Sequence, residues 1–299
     1  MIKNENSKKN IYLGISLIVL SSLLFAIMTA FIKCAGDLPT IQKSFFRNAV
    51  SFFFAFAVLI KNKESFAIPK FALKDLILRS FFGTLGVVSY FYAVDHLVLS
   101  DSSALNKMSP FFAILFSYIL LKEKVTKFQA FATFITFAGS MFIVKPSFSN
   151  IDLLPATMGL LSGIFAGLAY TIVRRLSKSG VKSPFVVMFF SAFSCIVLLP
   201  FVVFNYHSMT LTQLGSLSLA GLFAGGGQFA ITSAYFYAAA KDISLYSYSQ
   251  IIFASILSLL IFGELPDHWS VLGYAIIFAM AALMYFSKAK GWFEKRNAL

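Results

Sequence analysis

Lys107 stands in SALNKMSPFF (residues 103–112), and the nearest Asp, Glu, Lys or Arg on either side is Asp101 or Lys122. Its neighbours are residues that belong in hydrocarbon, where a bare ammonium group is costly. Three roles are open to it. It can face a water-filled cavity and neutralise an anionic substrate, snorkel along its stem to the outer headgroups, or pair with an internal carboxylate, for which Asp101 is nearest. At helical spacing Ser103, Lys107, Pro110, Ile114 and Ser117 form one stripe, with Asn106 beside it. Pro110 is expected to kink that helix and free a carbonyl.

A second cation lies in a similar setting. Ser44, Arg47, Asn48 and Ser51 fall at i, i+3, i+4 and i+7, one polar face on an otherwise apolar helix. The planar fork of Arg47 matches a carboxylate or phosphate, and a structural role is the competing reading. Later in the chain Gln228, Thr232 and Tyr235 share a face, as do Ser247 and Gln250; near the start, Ser22, Thr29 and Lys33 do the same. The tyrosines of the two YFYA strings, Tyr90, Tyr92, Tyr235 and Tyr237, serve equally as cavity residues or interface anchors.

The elements that must hold these residues are membrane helices. The chain of 299 residues is 59% hydrophobic and 12% charged, with 37 Phe, whereas soluble domains carry roughly 25% charged residues. Residues 10–32, 153–173 and 243–263 contain no Asp, Glu, Lys or Arg, and about 20 apolar residues cross a bilayer core. The uncharged run 183–240 is interrupted by Asn205-Tyr206-His207-Ser208 and reads as two spans. The expected fold is all-α, with ten transmembrane helices at roughly 11–33, 42–60, 74–94, 101–121, 127–145, 155–175, 184–204, 212–239, 243–263 and 268–287. Continuous apolar runs argue for helices over a barrel. The first span lacks a small-x-small cleavage site and is expected to be retained.

With the N-terminus inside, 19 cations fall in inner segments and only Lys33, Lys43 and Lys145 in outer loops. Both termini are therefore expected in the cytoplasm. The net charge of +13 is accounted for by topology and contact with membrane lipids, with no nucleic-acid partner.

The chain repeats itself. SYFYA (89–93) returns as AYFYA (234–238), and PFFAILFSYILLKE (110–123) lies over IIFASILSLLIFGE (251–264). Ser22, Phe25, Ala26 and Ile32 align with Ser162, Phe165, Ala166 and Ile172. Two halves follow, residues 1–150 and 151–299. Five spans in each half give the second the opposite orientation, the inverted repeat on which many secondary transporters are built. In this register Arg47 aligns with Phe190 and Lys107 with Tyr248. The cations thus break the symmetry, as an asymmetric ligand with an acidic end and a flat or apolar end would require. Candidate substrate-binding residues are Lys107, Arg47, Asn48, Asn106, Ser103, Ser22, Gln228, Tyr235, Tyr248 and Gln250.

Two five-helix halves, each with a span ending in a short apolar run plus Glu (LLKE, IFGE), resemble the EamA-type family of the drug/metabolite transporter superfamily. The resemblance covers essentially the whole chain. It implies a ten-helix carrier of small metabolites or drugs in the inner (cytoplasmic) membrane, with a central cavity lined by the first four helices of each half. It also leaves room for a homodimer through the fifth helices. Phe25 and Phe165 stand where the family often has tryptophan in the first span.

The expected function is secondary-active or facilitative transport of a small metabolite, an amino acid or related organic acid, by alternating access. A lipid-carrier translocase of the same fold is the alternative. No Asp or Glu lies mid-span and His96, His207 and His268 fall in outer loops or at helix ends, so exchange or facilitated transport is favoured over proton coupling. A membrane enzyme would need a His, Asp or Cys cluster, and a channel rings of like charge. Nothing calls for a cofactor or metal. Gly225-Gly226-Gly227 lacks the Lys-Ser/Thr of a phosphate loop and is read as close helix packing.

Overall fold

The computed structural model describes residues 2–63, 70–96, 105–144, 153–263 and 268–289. The described residues contain helices and no strand. In the first half these are α1 (Ile2–Cys34), α2 (Thr40–Lys61), α3 (Lys70–His96), α4 (Ser109–Leu121) and α5 (Lys127–Val144). In the second they are α6 (Leu153–Leu176), α7 (Ser183–Phe204), α8 (Leu211–Tyr237), the one-turn α9 (Ala240–Ile243), a 3-10 segment (Ser244–Tyr248), α10 (Ser249–Phe262) and α11 (His268–Ala289). Seven stretches, in α1, α2, α3, α6, α7, α8 and residues 240–261, are long and apolar enough to cross a membrane.

Local chemistry sets several of the ends. Thr210 caps α8 in a reciprocal box: its hydroxyl receives the Gln213 N–H, and Gln213 Oε1 receives the Thr210 N–H at 2.9 Å. Gly36 and Gly263 follow α1 and α10 with φ of +64° and +70°, the left-handed conformation that closes a helix at least cost when no Cβ is present.

Two expected spans differ in the same way. The fourth was expected to run through Lys107 and kink at Pro110. Instead the helix breaks into a turn at Lys107–Met108 and restarts at Ser109. Pro110 then sits in the first turn, where its missing N–H has no intrahelical partner to lose. The ninth span breaks at the corresponding place, passing through the 3-10 segment before α10 begins. Each half therefore carries a discontinuous helix at aligned positions, a device that puts helix N-termini inside a transporter.

The main contacts join the halves and are reciprocal: α1 packs on α8 as α6 packs on α3, α10 meets α1 as α4 meets α6, α2 meets α7, and α5 meets α11. Lipid tails are as apolar as leucine, so close packing must supply the attraction. Small residues provide it. Gly159, Gly163 and Gly167 form a ridge on α6 at i, i+4 and i+8. A Cβ on Gly163 would stand 2.7 Å from the Leu105 carbonyl, and one on Gly167 2.9 Å from the Ala113 N. The ridge thus seats the segment that carries Lys107. The triple glycine of α8 packs likewise, Gly225 against Phe54, Gly226 against Leu24 and Gly227 against Phe25, with α8 continuous through it. Outward faces are apolar, with Phe53, Phe204, Leu211 and Phe278 largely exposed, as lipid contact requires.

Candidate functional site

A cavity of about 100 Å³ lies where the halves meet. Its walls come from α1, α2 and α3, the turn before α4, α6, α7, α8, and the start of α10. Three cations face it: Arg47 of α2, Arg79 of α3 and Lys107 of the turn. All are buried, at 2%, 2% and 8% exposed. Among the described residues that line the cavity, none is an Asp or a Glu.

Arg79 is the most elaborately held. One terminal nitrogen donates to Gln228 Oε1 at 2.9 Å, and the guanidinium lies 3.8 Å from the centroid of the Phe190 ring. Gly83, one turn on, makes this possible: a Cβ there would meet Arg79 Nη1 at 2.7 Å and the Phe190 ring at 2.9 Å. Arg79 Nε and Nη1 have no hydrogen-bond partner. Arg47 Nη1 donates to Asn48 Oδ1 at 2.7 Å, and its Nε is likewise unpartnered. Arg47 and Arg79 lie within electrostatic reach of each other and of the Tyr170 hydroxyl. Tyr170 stacks on Tyr235, ring centroids 5.1 Å apart, giving the cavity a flat aromatic wall.

Lys107 donates to Gln250 Oε1 at 2.6 Å, a bond from the break in one half to the first turn of α10 in the other. Asn106 anchors the same turn by donating to Ser162 Oγ at 3.0 Å. Ser22 donates to the Ser247 carbonyl at 3.3 Å and Ser21 to the Gly227 carbonyl at 2.9 Å, tying α1 to both cavity-facing segments of the second half. The cavity therefore sees the N-termini of two short helices, the positive ends of their dipoles, beside a lysine.

Of the residues singled out in the sequence, Lys107, Arg47, Asn106, Ser22, Gln228, Tyr235 and Gln250 line this cavity. Asn48 does not line it and serves as the acceptor for Arg47. Tyr248 lies elsewhere, fully buried in a cluster with Ile251 and Ile277. The 3-10 segment has about 3.0 residues per turn against 3.6 in an α-helix, so alignment with Lys107 did not fix the direction of Tyr248. Ser103, with Asp101, is outside the described residues. Arg79, Tyr170 and the positioning glycine Gly83 are additions. One signal for Arg79 was present: of 25 Lys and Arg, the loop assignment leaves only Arg47, Arg79 and Lys107 inside spans.

Two ends frame the cavity. A second hollow of about 240 Å³, walled by Thr29, Lys33, Asp37, Lys43 and Asp95, shares Tyr90 and Phe91 with the central one. The opposite end is closed by polar bonds. Arg174 Nε binds Glu123 at 3.2 Å, and its Nη1 donates to the carbonyls of Tyr235 and Phe236. Arg175 Nε donates to Asp75 Oδ2 at 2.6 Å, and Gln129 donates to Asp242 at 3.2 Å.

A central, cation-walled cavity enclosed by two repeated sets of membrane helices is the arrangement of a multi-pass membrane transporter. The chain belongs to the EamA-like transporter family, whose profile matches residues 12–145 and again residues 153–286. It is 32% identical over 267 residues to the pseudopaline exporter CntI of Pseudomonas aeruginosa, covering 88% of this chain and 93% of that protein. An uncharacterized transporter of Helicobacter pylori is 28% identical (93% and 96% covered). Human solute carrier family 35 member G1 is 29% identical (89% and 77% covered). A crystal structure with 13% sequence identity superposes with a TM-score of 0.78 over 94% of this chain and 98% of its own, and shares the fold.

Proposed function

We propose that this protein carries a small organic acid across the inner membrane by alternating access, the acid being held between Arg47, Arg79 and Lys107. One observation carries the reading. Three buried cations face a common cavity with donors to spare, and no carboxylate among the described residues of its wall neutralises them. A buried charge without a partner costs several kcal/mol, so a site of this kind is complementary to an anion. The aromatic wall of Tyr170, Tyr235 and Phe190 suits a flat or apolar portion of the same molecule. A simple amino acid fits less well than an acid, since its ammonium group would find no counter-charge.

Reciprocal packing of the halves and the doubled family match support two inverted five-helix repeats with ten spans and both termini inside. On that topology the bonded end is cytoplasmic and the hollow around Lys43 and Asp95 opens outward. The pseudopaline exporter among the relatives supports export as the direction. The outward apolar faces of α5 and α11 leave room for a second copy.

Thermal stability of the purified protein against organic acids, amino acids, amines, nucleobases and phosphorylated metabolites tests the reading. A ligand at 100 times its Kd stabilises by about 2.7 kcal/mol. Organic acids should shift the wild type and shift Lys107→Ala much less. A shift by amines or nucleobases alone, or by no acid, would refute it.

A further inference from the structure

We infer that the substrate is a polyacid, with at least two carboxylate-type groups, one taken by the Arg47–Arg79 pair and another by Lys107 with the N-termini of α4 and α10. This rests on the organic-acid reading above and makes it more specific.

The inference begins with charge. Among its described residues the cavity presents three cations and no acidic side chain. A monoacid would leave two of them without a counter-ion in a site removed from water, each at a cost; a diacid leaves one, and a triacid none. The cations are also held in two separate ways. Arg47 and Arg79 lie near enough to repel each other, which a shared anion would relieve, and Arg79 is fixed by α7 and α8 through Phe190 and Gln228. Lys107 is fixed by Gln250 at the discontinuities of the fourth and ninth spans. Ser109 and Pro110 at the start of α4, and Gln250 in the first turn of α10, line the cavity there.

Donor supply points the same way. Arg79 Nε and Nη1 and Arg47 Nε are buried and unpartnered, enough to receive both oxygens of one carboxylate. Gln250 takes one hydrogen of the Lys107 ammonium, which has three, so hydrogens remain for a second acidic group. Asn106 and Ser109 stand beside it. The stacked rings of Tyr170 and Tyr235 line the same cavity, a surface for the carbon skeleton that links the two acids.

The test compares matched ligands on the full-length protein in detergent. Succinate, glutarate, adipate and phthalate are each titrated against their own monoamide, which keeps size and shape and removes one charge; tricarballylate extends the series to three charges. For at least one pair the diacid should bind tenfold or more tightly than its monoamide, and Lys107→Gln should cut that ratio about tenfold. The comparison between ligands is made on the wild type, so a variant that fails to fold does not blunt it. If monoamides bind as well as their diacids, the polyacid inference is overturned and the organic-acid reading stands. If neither diacids, monoamides nor the triacid bind, both fall.

Discussion

Two pairs of arginines in this protein stand in opposite states. At the closed end, Arg174 and Arg175 are engaged: Glu123, Asp75 and two main-chain carbonyls receive their hydrogens. In the central cavity, Arg47 and Arg79 are more deeply buried yet keep nitrogens without a partner. A side chain placed for architecture is satisfied by the fold itself. Nitrogens left unsatisfied in a site facing a cavity are instead reserved for something the fold does not contain. The difference separates a seal from a binding site, and substitutions at each end can break or sharpen it.

The largest effect is expected at Arg79. Truncating one member of a buried, hydrogen-bonded charge contact costs about 2–5 kcal/mol in binding, so Arg79→Ala should lower organic-acid uptake into proteoliposomes by roughly 100-fold. Stability should not fall in proportion. The substitution removes an uncompensated charge and leaves Gln228 unpaired, a penalty of about 1–3 kcal/mol at most. A loss of thermal stability as severe as the loss of transport would mean that Arg79 is architectural, like Arg174.

The closed end should respond in the other currency, conformation. Asp75→Asn weakens the pair with Arg175, whose side chain is 41% exposed, and such pairs contribute about 0–1 kcal/mol. With Cys34 and Cys195 replaced and Ser22→Cys introduced as reporter, labelling by a membrane-impermeant thiol reagent from the Arg175 side should rise by about fivefold, as expected for about 1 kcal/mol. Affinity for the acid, measured on the detergent-solubilised protein, should change less. Unchanged labelling would show that the ion pair does not hold that end shut.

Much of the fold was legible because uncharged runs of 20 or more residues leave one reading in a membrane, and observed helix ends such as Thr40, Lys61, Lys127 and Phe204 lie close to those expected. The site was legible where a polar residue interrupts such a run, as Lys107, Arg47, Gln228 and Gln250 do. Arg79 escaped because the residue that could have marked it, Asp75 at i−4, turns to Arg175, while its actual partners Gln228 and Phe190 come from the other half. That pairing is tertiary and leaves no local periodicity. The breaks at Lys107–Met108 and Ser244–Tyr248 escaped for a related reason: they depend on what packs against them, and Gly163 admits the Leu105 carbonyl only because it has no side chain.

Gly83 is where local chemistry and the site can be set against each other. An alanine in a helix interior is worth about 0.5–1 kcal/mol over glycine, so on propensity alone Gly83→Ala should stabilise α3. The added Cβ would stand 2.7 Å from Arg79 Nη1 and 2.9 Å from the Phe190 ring, pushing the guanidinium off the ring and away from Gln228. Acid affinity should fall about tenfold, equivalent to about 1.4 kcal/mol, with the protein folded as shown by its thermal midpoint. Unaltered affinity would mean that Arg79 binds from more than one position.

The smallest effect is expected at Tyr248, the aligned counterpart of Lys107. It packs with Ile251 and Ile277 and its buried hydroxyl has no partner. Tyr248→Phe removes an unsatisfied polar atom and keeps the ring, so stability should hold or rise by up to about 1 kcal/mol, with transport unchanged. The two halves would then differ in kind at this position: Lys107 meets the ligand, and its counterpart only fills space. If Tyr248→Phe impairs transport, the hydroxyl must reach the cavity in another state of the cycle, and the asymmetry between the halves belongs to one conformation instead of to the site.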